Sequence, residues 1–396
     1  MQQIVKRLHY LVGDEKVLEN IASVPALPLF SELVMDFFDK LSPKLLAKEF
    51  RQYSDVIAYG FWLRRASLEQ MKGRYEKSAQ RLGRGLAFHI APSNIPVQFA
   101  VSLAYALLAG NASVVRVSSK EFPQVDIICK AIKEVVAESC PRIAPYICIA
   151  RYGHDDSITE KFSAMCDVRL IWGGDRTVND IRRAKVSPRC LDLGFADRYS
   201  LAVIRADEYL QMDHEHIARD FYNDTYFSDQ NACSSPRLVV WTGENIPEAQ
   251  KVFWRKLKDM VDEMYEMSEI ASSDKLLNTA LCAAAYEGVK EIKEDNTLVR
   301  LELPKLYPDI MRYKGNCGYF MEYKADNLEE LVPMLKKECQ TIVCIGSVEE
   351  ELRQIIRQHG VRGVDRLVPV GHGMDISLVW DGIDMPLALS RCISGL

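Results

Sequence analysis

Several signals are missing from this sequence of 396 residues, and each absence excludes a class of protein. No run approaches the ~18 apolar residues of a membrane-spanning helix, and the first residues lack the apolar segment of a signal peptide. The eleven cysteines form no C-x-x-C pair, so neither a zinc site nor a disulfide framework is indicated. The net charge of -5 gives no basic excess for nucleic acid. We therefore expect a cytoplasmic protein with reduced thiols, no metal centre and no membrane insertion.

The composition is that of a globular protein, with 48% hydrophobic and 27% charged residues. The length predicts two or three substructures. Residues 1 to 80 are predicted to be helical, because apolar residues recur every three or four positions from Leu29 to Leu46 and from Val56 to Tyr75. This region is either a layer packed on the next domain or a surface that binds a partner. The segment R-L-G-R-G (81 to 85) marks its end.

From Leu86 onward, short apolar runs alternate with helical segments, which predicts a doubly wound parallel sheet over residues 81–206. The predicted strands are Leu86–Ala91, Ser113–Val117, Tyr146–Arg151, Val168–Trp172 and Ser200–Ile204. A second α/β domain is predicted for residues 207–370, with long helices near Glu248–Met267 and Leu276–Val289. The remaining tail, 371–396, contains W-D-G-I-D-M-P-L and is predicted to return toward the active cleft.

The usual dinucleotide fingerprint, G-x-G-x-x-G, is absent from the predicted sheet. Two strand-to-helix turns remain as candidate ligand sites, A-P-S-N-I-P (91 to 96) and W-G-G-D-R (172 to 176). Gly173 and Gly174 open a helix whose free N–H groups favour an anion, or they form only a tight turn. Asn94 can donate a hydrogen bond to a developing oxyanion, or it only caps the following helix.

A cysteine lies in the polar segment D-Q-N-A-C-S-S-P-R (229 to 237), between a helical run and the apolar run Leu238–Trp241. This placement predicts a loop that leads into a strand, where the thiol of Cys233 can face a cleft as a nucleophile. The alternative is a small side chain buried in the core.

Five motifs in order resemble those of the aldehyde dehydrogenase superfamily. They are H-I-A-P-S-N-I-P (89 to 96), A-Y-A-L-L-A-G-N-A-S-V-V-R-V-S (104 to 118), R-L-I-W-G-G-D (169 to 175), L-D-L-G (191 to 194) and the cysteine segment. With the tail from V-D-R-L-V-P-V-G to W-D-G-I-D (364 to 384), the chain looks like the acyl-CoA reductase branch, the fatty-acid reductase component of bacterial bioluminescence systems. The resemblance covers residues 80 to 396. It implies an aldehyde-dehydrogenase-like fold with a cofactor domain and a catalytic domain.

The resemblance assigns roles to individual residues. Cys233 matches the nucleophile and Asn94 the amide of the oxyanion hole. Gly173 and Gly174 match the turn that meets the cofactor pyrophosphate. Arg116 falls where relatives hold the adenosine ribose, and an always charged, planar guanidinium suits the 2′-phosphate of NADP(H). We therefore expect NADPH as cofactor, with NADH as the alternative.

Four further assignments follow from the same resemblance. Ser118 ends the motif that carries Arg116 and is assigned to the cofactor site. Asp192 matches a glutamate that activates water in oxidative relatives, although a structural role is the alternative. Glu338 is assigned to the nicotinamide ribose, and Gln230 to the border of the substrate site. His89 and His372 are predicted to be packed or turn residues.

The activity that the resemblance implies is NADPH-dependent reduction of a fatty acyl thioester to the aldehyde through an acyl-cysteine, with release of CoA. The acyl donor is acyl-CoA or an acyl-protein, which an acyl-protein synthetase would deliver to the helical N-terminal region. Two alternatives stay open: NAD(P)-dependent oxidation of an aldehyde to the acid, and a subunit that binds acyl chains or a partner without turnover. Oxidative relatives are longer and carry an extra hairpin for subunit contacts. The resemblance therefore does not predict whether this chain forms a homo-oligomer.

Overall fold

The computed structural model describes residues 7–76, 80–153 and 155–393. Parts of the predicted helical region (1–6 and 77–79) and the end of the predicted tail (394–396) lie outside the described residues. The strands are β1 His9–Val12, β2 Arg81–Gly83, β3 Leu86–Ile90, β4 Ala112–Val117, β5 Ile147–Arg151, β6 Val168–Trp172, β7 Leu191–Phe195, β8 Tyr199–Arg205, β9 Pro236–Thr242, β10 Lys290–Lys293, β11 Val299–Glu302, β12 Tyr319–Lys324, β13 Cys339–Ile345, β14 Arg366–Pro369, β15 Val379–Trp380, β16 Ile383–Asp384 and β17 Ser390–Cys392.

The α-helices are α1 Glu15–Asn20, α2 Glu32–Leu45, α3 Ser54–Trp62, α4 Arg65–Gly73, α5 Gln98–Leu108, α6 Pro123–Glu138, α7 Asp156–Met165, α8 Asp175–Arg182, α9 Ala206–Tyr209, α10 His214–Asp224, α11 Ile246–Met264, α12 Glu269–Ala285, α13 Glu349–His359 and α14 Met385–Leu389. Short 3₁₀ segments connect several of them, at Ile21–Ser23, Lys48–Phe50, Pro141–Tyr146, Tyr226–Ser228, Ile310–Tyr313 and Leu328–Met334. Among the described residues, none of these helices combines the length and the apolar character needed to cross a membrane.

Residues up to Ala196, together with those from Ile376, form one compact unit. Its main sheet has the order β1-β5-β4-β3-β6-β7, and every neighbouring pair except β1–β5 is parallel. The chain moves outward from β3 in both directions, so the topological switch point lies between β3 and β6. Strands β3 and β6 are buried at all five positions, as expected for a sheet covered on both faces. The predicted doubly wound parallel sheet is thereby confirmed.

The N-terminal region of this unit is mostly helical, with α2, α3 and α4 inside the predicted span. One prediction there is wrong, because His9–Val12 is an edge strand that runs antiparallel to β5. Four residues are too few to show a strand's alternation against a helical background. The predicted second helix also divides at Leu63 and Arg64 into α3 and α4.

His89 on β3 is fully buried in this unit, where burial lowers its pKa to about 3 and keeps the imidazole neutral. Its two ring nitrogens contact the hydroxyls of Ser102 (2.7 Å) and Ser113 (3.3 Å). His89 therefore ties α5 to strands β3 and β4, in agreement with the prediction of a packed histidine.

The end of the chain completes the first unit with a small hairpin, β15–β16. Asp381 and Gly382 form its turn with φ of 48° and 71°, in the left-handed region that an Asp-Gly pair favours. Met385 and Leu389 of α14 are buried, and β17 pairs with β2.

The second unit extends from Asp197 to Asp375. Its sheet has the order β10-β11-β12-β9-β8-β13-β14, with only the β10–β11 pair antiparallel. The predicted strand Ser200–Ile204 forms, as β8, but it belongs to this sheet and not to the first. The proposed domain limit at 206 therefore falls inside the second unit, and the proposed end of the second domain at 370 falls five residues before the end of this unit at Asp375.

The helices of the second unit follow the predicted pattern, with small shifts in their bounds. The apolar spacing predicts a helix from Leu328 to Lys337, but the structure has a 3₁₀ segment, Leu328–Met334, that contains Pro333. Pro333 lacks the N–H that an α-helix interior requires. The sequence analysis also assigned no strands to β10, β11 and β12.

Candidate functional site

Cys233 lies on a loop of the second unit, between the 3₁₀ segment Tyr226–Ser228 and β9. Asp229 and Gln230 enter the loop with φ of 52° and 53°, an uncommon backbone for residues other than glycine. Cys233 is partly exposed, whereas Ala232 on one side and Ser234 on the other are buried. The predicted placement of the thiol on a loop that leads into a strand is therefore observed.

A buried serine fixes the peptide that follows Cys233. The hydroxyl of Ser200, on β8, donates a hydrogen bond of 2.6 Å to the carbonyl oxygen of Cys233. The same hydroxyl accepts the N–H of Thr341 on β13 at 3.1 Å. Two central strands of the sheet therefore determine the orientation of the Cys233 backbone.

The guanidinium of Arg237 is buried and supports the cysteine loop through several hydrogen bonds. It donates to the carbonyl oxygen of Gln230, to that of Gly315 at 3.1 Å and to that of Ala232 at 3.4 Å. A further hydrogen bond of 2.9 Å reaches the side-chain oxygen of Asn316. A planar group with five N–H donors can satisfy several carbonyls at once, and an ammonium group cannot match that geometry.

Arg237 also sets the electrostatics of the loop. Burial lowers the pKa of its guanidinium, and the charge of Cys233 acts in the opposite direction. By the same interaction, a buried cation next to the loop favours the thiolate form of the cysteine.

Gln230 has a structural part in this loop. Its amide nitrogen donates to the carbonyl oxygens of Pro236 (3.0 Å) and Tyr319 (3.3 Å). Its amide oxygen accepts the N–H groups of Gly318 (2.7 Å) and Tyr319 (3.0 Å). These contacts join the cysteine loop to β12, and the predicted contact of Gln230 with substrate stays a prediction.

A second segment of the same unit, 370–375, reaches the cysteine loop, which the sequence analysis did not anticipate. The hydroxyl of Ser234 donates to the sulfur of Met374 at 3.5 Å. Asp224, fully buried at the end of α10, accepts the N–H groups of Gly371 (2.7 Å) and Gly373 (2.8 Å). Burial raises the pKa of Asp224 to about 7. The only available signal was the pair of glycines, whose N–H groups a carboxylate can approach closely.

His372 lies between these glycines and is exposed. Its Nδ1 is 2.6 Å from the carboxylate of Asp375, and this hydrogen bond raises the pKa of His372. This is a turn contact, in agreement with the prediction of a turn residue.

In the first unit, the two predicted turns follow the strands at the switch point, the Asn94 turn after β3 and the glycine turn after β6. Asn94 is exposed. Gly174 precedes α8 and provides no side-chain cap for the helix, whereas the N–H of Gly173 donates to the carbonyl oxygen of Phe195 at 3.2 Å. A Cβ atom on Gly173 would lie 3.0 Å from the Thr177 side chain, so a larger residue would disturb this turn.

Trp172 anchors the glycine turn. Its ring stacks on Phe195 at 3.8 Å between centroids and meets Trp380 of the tail edge-on at 5.9 Å. Its indole N–H donates to the hydroxyl of Ser102 at 2.9 Å. The tail therefore returns to the carboxyl end of β6.

A cavity of about 900 Å³ opens on the first unit beside the same sheet edge. It is lined by Arg116 at the end of β4 and by residues of α7, of α8 and of the segment after α8, namely Asp156, Thr159, Glu160, Arg176, Thr177, Asn179, Asp180, Ile181, Arg183 and Ala184. The Arg116 guanidinium lies over the Tyr152 ring, 5.0 Å from its centroid. Its Nε is buried and has no hydrogen-bond partner among the described residues. Ser118, by contrast, is part of a turn, where its hydroxyl accepts the N–H of Lys120 at 3.1 Å.

The remaining predicted residues have mostly structural contacts. Asp192 on β7 lies opposite Arg169, which is 1% exposed and donates to both carboxylate oxygens at 3.1 and 2.6 Å. Arg182 adds a second guanidinium at 3.5 Å. These contacts fit the structural alternative for Asp192, and its catalytic role stays a prediction.

Glu338 lies in the second unit, immediately before β13. Its carbonyl oxygen accepts the N–H of Tyr199 at 2.9 Å, and its side chain, 42% exposed, lies 3.8 Å from the ammonium group of Lys337. The predicted contact of Glu338 with the cofactor ribose is not tested by these contacts.

Comparisons with known proteins agree with the sequence resemblance. A family model described as acyl-CoA reductase (LuxC) matches residues 8–269. The chain is 27% identical over 182 residues to a long-chain acyl-protein thioester reductase of Aliivibrio fischeri, an alignment that covers 45% of this chain and 36% of the relative. It is 22% identical over 293 residues to the Vibrio harveyi protein of the same name, covering 73% of this chain and 59% of that relative. The matched part thus spans less than two thirds of either relative.

Solved structures confirm the fold class. An NAD-dependent benzaldehyde dehydrogenase from Corynebacterium glutamicum superposes with a TM-score of 0.64 at 15% identity, over 90% of this chain and 84% of that one. A 1-pyrroline-5-carboxylate dehydrogenase from Thermus thermophilus gives a TM-score of 0.66 at 10% identity, over 95% and 82% of the two chains. At these identities the likeness shows the aldehyde-dehydrogenase-like fold alone.

Proposed function

Because the chain belongs to the acyl-CoA reductase (LuxC) family, we propose that it reduces a fatty acyl thioester to the aldehyde through an acyl group carried on Cys233. The observation that carries the proposal is the cysteine loop itself. Its thiol is partly exposed while the backbone around it is held by buried Ser200 and Arg237. A nucleophile held in a fixed position gains most from orientation before the reaction.

In the proposed first step, the Cys233 thiolate attacks the thioester carbonyl carbon of an acyl-CoA. The negative charge moves to the carbonyl oxygen, where the N–H of Cys233 and the amide of Asn94 would donate hydrogen bonds. The role of Asn94 rests on the order of the sequence motifs. Collapse of the tetrahedral adduct breaks the bond to the CoA sulfur and leaves an acyl-cysteine. The buried Arg237 cation assists by attracting negative charge on the Cys233 sulfur.

NADPH, when bound, supplies the hydride that reduces the acyl carbonyl. The charge returns to the same oxygen, so one oxyanion hole would serve both steps. Breaking the carbon–sulfur bond then releases the aldehyde and restores the Cys233 thiolate. The carboxylate of Asp192, held between two guanidinium groups, is poorly placed to activate water. This supports reduction over hydrolysis of the acyl-enzyme.

The first unit fits a phosphorylated nicotinamide dinucleotide. The first N–H groups of α8, which follow Gly174, would bind a pyrophosphate, and the cavity of about 900 Å³ has room for an adenosine. Arg116 carries a buried Nε without a partner among the described residues. Arg176 and Arg183 also line the cavity, but both pair with Asp180. Arg116 therefore supports NADPH over NADH, because the additional phosphate needs a cationic partner.

The setting and the acyl donor are part of the same proposal. All eleven cysteines are free thiols, which supports a reducing, cytoplasmic compartment. The relatives are named as acyl-protein thioester reductases, so the donor is either acyl-CoA or an acyl-protein. A partner synthetase that delivers the acyl group would dock on the N-terminal helices, where Phe61 is 46% exposed.

The proposal is tested by following the oxidation of NADPH with acyl-CoA substrates of increasing chain length, while the aldehyde is trapped. We expect aldehyde formation by the wild type and none by Cys233→Ala. The matched control is Cys392→Ala, which removes an exposed thiol far along the chain and should keep full activity. Turnover in Cys233→Ala at the wild-type rate would contradict the covalent step. Acid that accumulates from aldehyde without CoA would instead favour the oxidative alternative.

A further inference from the structure

Two thiols outside the cysteine loop lie side by side in the first unit. The sulfur atoms of Cys166 and Cys190 are 3.8 Å apart. Cys166 is buried at the end of α7, where its thiol also lies 3.3 Å from the carbonyl oxygen of Ser163. Cys190 is partly exposed and directly precedes β7. The pair therefore combines one protected sulfur with one that solvent reaches.

The surroundings make the two thiols chemically different. The hydrogen bond with Cys166 lowers the pKa of the Cys190 thiol and outweighs burial and the charge of Asp192, which act in the opposite direction. The same hydrogen bond, together with burial, raises the pKa of Cys166. Cys190 is therefore the sulfur that ionises first, and a thiolate is the form that reacts with oxidants.

We propose that Cys166 and Cys190 form a reversible disulfide when the protein meets hydrogen peroxide, and that this bond fixes the two walls of the nucleotide cavity. The Cys190 thiolate attacks one peroxide oxygen and breaks the O–O bond, which gives a sulfenic acid and hydroxide. The Cys166 sulfur then attacks the Cys190 sulfur, its proton leaves, and the sulfenic hydroxyl departs to form water. Two thiols are oxidised by two electrons, and peroxide is reduced to two waters. Exchange with a reduced dithiol restores both cysteines.

The distance the sulfurs must move is small. A disulfide bond is about 2.0 Å long, against the 3.8 Å between the thiols. Cys190 lies in the connection between α8 and β7 rather than within either element. A change of the Cys190 side chain and a shift of this connection can therefore close the bond while the sheet stays in place.

The position of the pair connects the bond to the cavity. Cys166 follows α7, whose first two turns contribute Asp156 and Thr159 to the cavity lining. Cys190 ends the connection that contributes Arg183 and Ala184. A covalent bond between Cys166 and Cys190 would join the end of α7 to the end of the connection that follows α8. The expected change in nucleotide affinity rests on the proposed function, whereas formation of the bond does not.

The test uses the full chain treated with hydrogen peroxide, followed by alkylation of the remaining thiols and peptide mass analysis. We expect a cross-linked peptide pair that contains Cys166 and Cys190, lighter than the two free peptides by two hydrogen atoms and lost after treatment with dithiothreitol. Cys190→Ser should abolish it, and so should Cys166→Ala. The control Cys392→Ser should leave it unchanged, because that exposed thiol lies outside the pair. Oxidation that gives only sulfinic acid at Cys190, with no cross-linked peptide, would overturn the proposal.

Binding of NADPH to the reduced and the oxidised chain tests the effect on the cavity. We expect the two affinities to differ by at least about 5-fold, the lower end of coupling between distinct sites, and the Cys190→Ser chain to show no such difference after peroxide. Equal affinities in the presence of a complete cross-link would overturn control of the cavity. If the reduced chain fails to bind NADPH, the proposed cofactor is wrong, and the disulfide is still decided by the cross-linked peptide alone.

Discussion

The hydroxyl of Ser200 donates a hydrogen bond of 2.6 Å to the backbone carbonyl of Cys233. Ser200 lies on β8, a central strand of the second sheet, and is fully buried. The candidate nucleophile is therefore fixed by the core of its own unit as well as by its loop. A partly exposed thiol can remain accessible while its peptide is held rigidly.

Replacing this serine tests how far the carbonyl contact sets the reactivity of the loop. We expect Ser200→Ala to lower the free energy of unfolding by about 1–3 kcal/mol, because two buried backbone groups lose a partner. Turnover should fall about 10-fold, which corresponds to a rise of about 1.4 kcal/mol in the activation free energy. Urea unfolding and the rate of aldehyde formation measure the two effects. The control Ser228→Ala removes a hydroxyl that bonds Thr225 and Ser235 but makes no contact with Cys233. Equal turnover in both variants would rule out the proposed role of Ser200.

The buried guanidinium of Arg237 should affect both stability and the reactivity of the thiol. Arg237→Met leaves several carbonyls of the loop without a donor, so we expect the protein to lose about 3 kcal/mol of stability. Alkylation of Cys233 by iodoacetamide should require a higher pH than in the wild type, because the nearby cation is gone. Arg237→Lys should keep part of the alkylation rate through its charge and lose stability through its geometry. A Met variant that reacts at the wild-type rate at neutral pH would contradict this account.

Arg116 is expected to distinguish NADPH from NADH. Arg116→Met removes a cationic partner of the additional phosphate. A hydrogen bond to a charged group contributes about 1.5–3 kcal/mol. Binding of NADPH should therefore weaken about 10- to 100-fold, while binding of NADH stays nearly unchanged. Fluorescence titration with both nucleotides measures the ratio. Arg84→Met is the control in the same unit, because Arg84 donates to the carbonyl oxygen of Ala388 and does not line the cavity. An equal loss of affinity for both nucleotides would show that Arg116 does not bind the additional phosphate.

Asp224 predicts a specific dependence of stability on pH. Burial raises the pKa of this carboxyl group from its ordinary value of 3.8 to about 7. Between these two values the unfolded chain has lost the proton and the folded chain retains it, so this group lowers stability as the pH rises from about 4 to about 7. Asp224→Asn should remove that decline, and the difference in stability from the wild type should shift in favour of the variant across the window.

Urea unfolding at several pH values measures this difference. Asp220→Asn is an intermediate case, because the charge of Asp220 helps to raise the pKa of Asp224, so this variant should reduce the decline without removing it. Curves for the wild type and Asp224→Asn that stay parallel between about pH 4 and pH 7 would contradict the buried, protonated carboxyl group.

The sequence predicted the first sheet best where both faces of an element are buried. The sequence predicts helices over Gln98–Leu108 and Pro123–Glu138 and a strand over Val168–Trp172, and α5, α6 and β6 have these bounds. Continuous apolar runs and a uniform helical period leave few alternatives there. The edge strands β1, β7 and β10 were missed, whereas the edge strand β14 was predicted over Val364–Val370. β10, with the sequence K-E-I-K, is largely exposed and carries almost no apolar signal. β8 was assigned to the wrong sheet for another reason. Its apolar run predicts a buried strand but does not indicate the sheet to which the strand belongs.

Only part of the candidate site could be predicted from the sequence. The loop that carries Cys233 was predicted from local sequence, whereas the residues that support it come from distant positions. Ser200 lies 33 residues before Cys233, and Asp224 lies 147 residues before Gly371. Such pairs depend on the folded sheet, and a single sequence gives no local pattern for them. The cysteine pair at 166 and 190 was likewise hidden, because 24 residues separate the two sulfurs.

The most direct test of the account is to capture the acyl group on the protein. The full chain is incubated with acyl-CoA in the absence of NADPH, quenched in acid and digested, and the peptides are weighed. We expect an acyl adduct on the peptide that contains Cys233. Hydroxylamine should release it, NADPH added before the quench should convert it to the aldehyde, and Cys233→Ala should not form it. An acyl adduct on a different residue, or steady aldehyde formation by Cys233→Ala, would contradict it.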